Sequence, residues 1–268
     1  LATSVTPLSA TSTITNDNAI LFNRNGAEFG ETLASLTSED SVGVFDSFAL
    51  PDGGHAVVIS TRDSRSGSST NYRLYQIDED GQRTGSVISL STSNPDIDLT
   101  PDGSAIAFIT NRVTNSTFNI REYTLNVRDL ENGSQVLRAD FGTGLANEVE
   151  ALSNGNFVVA SSNTYQVLDS AGATIVSRSA FTTSGGSKTD GTIVGTNNGF
   201  LAAWADFGAG GADIRIQRYD NNGARIGGEV PVNSDGATIS QRNPEFLTLE
   251  NGQILLSYRS QDPLSGDR

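Results

Sequence analysis

The chain has 268 residues, 36% of them apolar, with 28 glycines and neither cysteine nor methionine; 17 basic against 31 acidic residues leave a net charge of −14. That balance disfavours nucleic acid and anionic membrane as partners, because both would repel the surface. Without cysteine there is no disulfide framework, thiolate nucleophile or Cys-ligated metal, and no apolar run approaches the roughly 20 residues that span a bilayer.

Residues 1–18 read as a polar lead-in strand or linker. From Ala19 two motifs alternate along the chain. One is a strand running into an Asx turn and a glycine: LFNRNGAEFG (21–30), YQIDEDGQRTG (75–85), NVRDLENGSQV (126–136), YQVLDSAGATIV (165–176) and QRYDNNGARIG (217–227). The other is an Asp-Gly or Asn-Gly turn followed by an apolar run, at Gly53, Gly103, Gly155, Gly199 and Gly252, with steps of 50, 52, 44 and 53 residues. Each motif predicts a hairpin, since Asn/Asp-Gly supplies the positive φ of a tight turn between alternating apolar residues. Two hairpins per period make a four-stranded antiparallel unit, the blade of a β-propeller. Five of each hairpin predict an all-β, five-bladed propeller over 19–268. Because the chain opens on one hairpin type and closes on the other, the N- and C-terminal strands are expected to share a blade and close the ring, which hides exposed sheet edges.

Position 1 is Leu and methionine is absent, so the chain reads as a processed piece of a longer, secreted protein or assembly. The basic residues are 16 Arg and one Lys, Lys188, and an acidic, Lys-poor surface suits a saline exterior.

Aligning the second motif on its turn glycine places a carboxylate seven residues upstream in four copies: Asp46, Asp96, Glu148 and Glu245. In the fourth copy a turn longer by two residues is expected, putting Asp190 in the same place. If these strands are innermost, the five side chains ring one mouth of the central channel. Close like charges raise one another's pKa, and a bound cation or Arg relieves them; Ca2+, which takes six to eight oxygens, would suit such a ring. Asp98 and Glu150 lie two residues further on and share a strand face with Asp96 and Glu148. Three readings of the row stand side by side: ordinary strand-start chemistry, a cation or polar-ligand ring, and a catalytic pair. The third would be a glycoside hydrolase, which needs an acid and a base or nucleophile about 5–9.5 Å apart.

Other candidates are weaker. His55, the single histidine, follows a Gly-Gly turn, so neither a Ser-His-Asp triad nor a multi-His zinc site has material to work with. The runs Asp78-Glu79-Asp80-Gly81 and Asp220-Asn221-Asn222-Gly223 echo the opening of a calcium loop but lack its downstream Glu, and read as Asx turns. Trp204, among alanines, is expected to pack between blades, and Tyr72, Tyr75, Tyr123, Tyr165, Tyr219 and Tyr258 to pack in sheets. The long loops 63–70, 112–117 and 206–213 offer small polar side chains suited to a binding face.

Residues 201–262 resemble a repeat of large secreted bacterial proteins, including hemolysin-type (RTX) calcium-binding proteins and adhesins. The resemblance rests on Ala203-Trp204, Ile214 to Gly228, Val232-Asn233, Gln241 to Glu245 and Leu249 to Gly252. It implies a propeller in an extracellular or cell-surface protein and, more distantly, calcium; the nonapeptide calcium repeats themselves are absent. The expected function is therefore a non-enzymatic binding or scaffold module for a glycan or another surface protein, with a structural spacer and a glycoside hydrolase as alternatives.

Overall fold

The computed structural model describes residues 20–22, 28–32, 41–62, 70–80, 82–90, 96–115, 120–142, 148–161, 163–208, 211–232, 240–249, 251–262 and 266–267. The lead-in segment 1–18 lies outside them. Every element among the described residues is a β-strand. An N-terminal hairpin joins β1 (Ile20–Phe22) to β2 (Glu28–Thr32). Blade one holds β3 (Ser41–Ala49), β4 (His55–Arg62), β5 (Thr70–Ile77) and β6 (Arg83–Ser89). Blade two holds β7 (Ile97–Leu99), β8 (Ala105–Asn115), β9 (Ile120–Asp129) and β10 (Gln135–Gly142). Blade three holds β11 (Glu148–Ala151), β12 (Phe157–Ala160), β13 (Thr164–Leu168) and β14 (Thr174–Ala180). Blade four holds β15 (Ser187–Thr196), β16 (Gly199–Gly208), β17 (Gly211–Asp220) and β18 (Arg225–Pro231). Blade five holds β19 (Ser240–Thr248), β20 (Ile254–Asp262) and the two-residue β21 (Gly266–Asp267). Each blade is an antiparallel meander hydrogen-bonded in chain order, giving a five-bladed β-propeller.

The turns form for the reasons their residues suggest. Gly53, Gly103, Gly155 and Gly252 all adopt positive φ between β-strands. Outer hairpins are capped by Asp: Asp169 Oδ1 accepts the N–H groups of Ala171 (2.9 Å) and Ala173 (2.8 Å), and Asp220 Oδ1 those of Asn222 (2.9 Å) and Ala224 (2.8 Å). Asp78 does the same for Asp80 and Gln82. The runs that echoed calcium loops are thus Asx turns whose carboxylates bond their own backbone.

Alternating apolar residues put one face of each blade against the next. Ala56, Val58, Tyr72 and Leu74 of blade one pack with Ile97, Ile106 and Phe108 of blade two. Blade two meets blade three through Leu125, Val127, Val149 and Phe157, and blade four meets blade five through Ala205, Ile214, Leu256 and Tyr258. The core between blades three and four is aromatic: Tyr165, Phe181, Phe200, Trp204 and Tyr219, with Phe200 stacked on Tyr219 at 4.6 Å and Phe181 on Trp204 at 6.0 Å. Trp204 is fully buried there, between blades as expected.

Outer turns reach across these interfaces. The Cβ of a residue at Gly172 would meet Leu137 of blade two at 2.7 Å, and one at Gly223 would meet Val167 and Val176 of blade three at 2.9 Å. Tyr165 Oη donates to Gly223 O (2.9 Å), and Gln76 Nε2 donates to Leu130 O from blade one to blade two.

One expectation is not met. The ring is not closed by hydrogen bonds: β1 and β2 pair with each other, and β19, β20 and β21 pair among themselves. Among the described residues, Val57, Ile59, Tyr75 and Ile77 of blade one form a buried cluster of their own, while Leu247 and Leu255 of blade five are 57% and 51% exposed.

Candidate functional site

The innermost strand of a blade has a ladder partner on one side only, so the N–H groups of its other edge face the channel and need acceptors. In blades two to four, side chains supply them. Asp96 accepts the N–H of Val149 and Asp98 that of Ala151 (2.7 Å). One blade on, Glu148 accepts from Ile193 (2.8 Å) and Glu150 from Gly195 (2.7 Å). A two-residue carboxylate spacing on one strand therefore matches alternate N–H groups on the next. The carboxylates clamp blade to blade around the channel.

These bonds fix which residues are equivalent. Val149 corresponds to Ile193, so Glu148 corresponds to Thr192, and the Thr192 side chain itself hydrogen-bonds to Glu148. Asp190 does not occupy the equivalent position. The turn of blade four is not lengthened, since Thr196 pairs directly with Gly199; Asp190 lies two residues before Thr192, in a one-residue β-bulge between Thr189 and Thr192, where it is left-handed at φ 55°. Blade five repeats the device: its ladder slips between Arg242 and Glu245, with Asn243 at φ 51°.

The other two expected ring members, Asp46 and Glu245, differ in their surroundings. Asp46 lies close enough to push up the pKa of both Asp96 and Asp98 by charge, and its Oδ1 accepts the N–H of its neighbour Ser47 (2.7 Å). Glu245 is exposed on β19. The structure thus groups Asp46, Asp96, Asp98, Glu148 and Glu150, places Glu245 at the equivalent ladder position of β19, opposite Ser257 as Glu148 is opposite Ala160, and sets Asp190 two residues off it. Asp98 and Glu150 matter as much as the first row. Their signal in the sequence was the repeated D-x-D and E-x-E spacing, and counting seven residues back from Gly199, with no allowance for a longer turn, reaches Thr192.

Burial, partly offset by the Val149 N–H and reinforced by the charges of Glu148, Asp98 and Asp46, raises Asp96 to about 7. Burial likewise raises Asp98 to about 6 and Glu148 to about 7. Glu150 is pushed well above the ordinary range by burial and then by the charge of Asp98. Asp46 is raised for the same first reason. Such shifts mark catalytic acids and structural networks alike. Here burial dominates, and each of the four clamping carboxylates already holds a backbone donor. Among the described residues no three Asp, Glu or His side chains converge to hold a metal ion.

A cavity of about 650 Å3 opens beside the clamps, walled by four blades: Asp98, Glu150, Gly195, Thr196, Arg218 and Thr248 contribute to it. It presents two carboxylates, one guanidinium and several neutral polar groups. His55 is exposed where β4 begins, away from this wall.

No protein-family model matches the chain, and no curated protein matches it by sequence, so the resemblance read from residues 201–262 gains no support. Solved structures similar to it include the β-propeller domain of the trilobed protease of Pyrococcus furiosus, described as having an open velcro topology: TM-score 0.49, 14% identity, 84% of this chain and 70% of that one. A second is prolyl oligopeptidase B of Galerina marginata, at TM-score 0.44 and 13% identity; 92% of this chain aligns, spanning 38% of that one. A third, from Parabacteroides distasonis and assigned as a glycoside hydrolase, has TM-score 0.39 and 12% identity over 94% and 95% of the two chains.

Proposed function

We propose that the protein is a non-enzymatic binding or scaffold module of a larger extracellular or cell-surface protein, and that the channel-mouth cavity seats a polar ligand, a glycan or a protruding segment of another surface protein. The observation that carries this reading is the use of the inner carboxylates. Asp96, Asp98, Glu148 and Glu150 each spend an oxygen on the neighbouring blade's backbone, whereas glycoside hydrolysis needs an acid and a base or nucleophile free to flank a glycosidic bond. Carboxylates that hold the ring together make a stiff frame for a site. Arg218, Thr196 and Thr248 beside them supply the donors and acceptors that hydroxylated ligands use.

The test is retention of the protein on immobilised acidic and neutral polysaccharides, with and without calcium, with the eluate assayed for new reducing ends. Retention without new reducing ends is expected, and the clamp geometry favours retention that calcium does not change. Calcium-dependent retention would make the ion part of the site. New reducing ends would overturn the reading in favour of a hydrolase, and no retention on any member would leave a structural spacer.

A further inference from the structure

The cavity beside the clamps carries charges of both signs, contributed by different blades. Asp98 and Glu150 stand on the innermost strands β7 and β11, and Arg218 on β17, the third strand of blade four. Arg218 lies opposite Leu201 in the β16–β17 ladder, and Leu201 lines the same cavity, so one face of blade four turns the guanidinium towards it.

The protein neutralises neither sign. Among the described residues, ion pairs engage Arg112, Arg138, Lys188 and Arg215, and Arg218 has no carboxylate within ion-pair distance. An ionised carboxylate offers about four acceptor sites. Asp98 uses two, for the N–H groups of Leu99 (2.8 Å) and Ala151 (2.7 Å). Glu150 uses one, Oε2 for Gly195 N–H (2.7 Å), and no described donor reaches its Oε1. The charge of Asp98 opposes ionisation of Glu150, an opposition that a cation beside both removes. A metal ion is a poor occupant, because no three Asp, Glu or His side chains converge among the described residues and Arg218 would repel it.

Resting on the reading of this cavity as a ligand seat, we propose that its ligand is a zwitterion of the amino-acid type, a free amino acid or short peptide, whose ammonium group binds Asp98 and Glu150 and whose carboxylate binds Arg218. Such a ligand joins the two signs of charge that the protein holds apart. An ammonium has three donors for the unused acceptor sites, and a guanidinium can grip a carboxylate through two parallel hydrogen bonds. The volume of about 650 Å3 lies in the range of small-ligand sites. A neutral ligand would leave all three charges uncompensated.

Oligoglycines of one to four residues test the proposal, since each residue adds about 3.5 Å of reach between the charged ends. Each is titrated at pH 7 against the full chain in four forms: free, N-acetylated, C-amidated and blocked at both ends. The backbone amide resonances of Ala151, Gly195 and Thr196 are followed by NMR. At least one length in its free form is expected to shift these amides and to bind at least about tenfold more tightly than its acetylated and amidated forms. Glu150→Gln is expected to cut the preference for a free amine and keep that for a free carboxylate, and Arg218→Gln to do the reverse. Equal binding of free and fully blocked forms at the same amides would overturn the inference while leaving the cavity a seat for neutral ligands. Charge-dependent binding that both variants leave intact would place the zwitterion elsewhere and overturn it too. No shift with any form at any length would also overturn it, and retention on polysaccharides would then decide the ligand-seat reading separately.

Discussion

Glu150 shows how one side chain can stabilise a fold through its oxygen and destabilise it through its charge. Its carboxyl supplies the acceptor for Gly195 N–H, yet burial and Asp98 oppose its ionisation. Glu150→Ala removes the acceptor and should cost about 1–3 kcal/mol at pH 5, which thermal unfolding would register as a fall of several degrees at roughly 2–4 °C per kcal/mol. Glu150→Gln keeps a carbonyl acceptor and the volume without the charge. It should be near neutral at pH 5 and stabilising at pH 8, and a loss at both pH values would show that the charge itself holds the ring. This duality was half visible in the sequence. The carboxylate rows at Asp96/Asp98 and Glu148/Glu150 could be read from spacing, but Asp190 was misplaced because the expected two extra turn residues do not exist: Thr196 pairs with Gly199, and the same seven-residue count falls on Thr192.

At the level of elements, hairpins were the most legible feature, because Asx-Gly turns and alternating apolar residues are local signals. What the sequence concealed is that the outer turns also act at a distance. Gly223, at φ +80°, has Val167 and Val176 of blade three where a Cβ would go. Gly223→Ala combines a left-handed alanine with that collision and should cost about 1–3 kcal/mol, whereas alanine at Gly252, also at positive φ but with open space around it, should cost less. Equal losses in chemical denaturation would mean that backbone strain alone matters and the inter-blade docking does not. The outer strands carry a second device: the ladders β5–β6, β9–β10, β13–β14 and β17–β18 all slip register, and such bulges blunt edges that would otherwise pair with other chains.

For the whole molecule, four inter-blade cores make a curved array, and the channel carboxylates staple its inner rim between blades two and four. The five-blade count was read from five copies of each hairpin, and ring closure was expected from their order; among the described residues, hydrogen bonding between the chain ends is absent, since closing a ring depends on contacts across the full chain length and not on any local pattern. The staples also give the molecule a pH signature. Asp96, Asp98 and Glu148 have pKa values raised on folding to about 7, 6 and 7. The folded state therefore holds protons that the unfolded chain has lost, so this stabilisation is full below about pH 4 and disappears as pH rises towards 7. Asp102 works in the opposite sense: hydrogen bonds from Ser104 and Thr100 lower its pKa, so its contribution is lost as pH falls below its ordinary 3.8. The unfolding temperature should accordingly peak in mildly acidic solution and decline between about pH 5 and 7.5; a stability maximum above pH 7.5 would contradict the buried-carboxylate account.

The claim beneath all of this is that inner-strand carboxylates serve as acceptors for the next blade's channel-facing amides. Backbone amide exchange at Val149, Ala151, Ile193 and Gly195, compared between the unmodified chain and Glu150→Ala, tests it most directly. Protection of all four amides in the unmodified chain, with selective loss at Gly195 in the variant, is the expected result. Fast exchange at all four, or protection of Gly195 that survives removal of the Glu150 side chain, would contradict it.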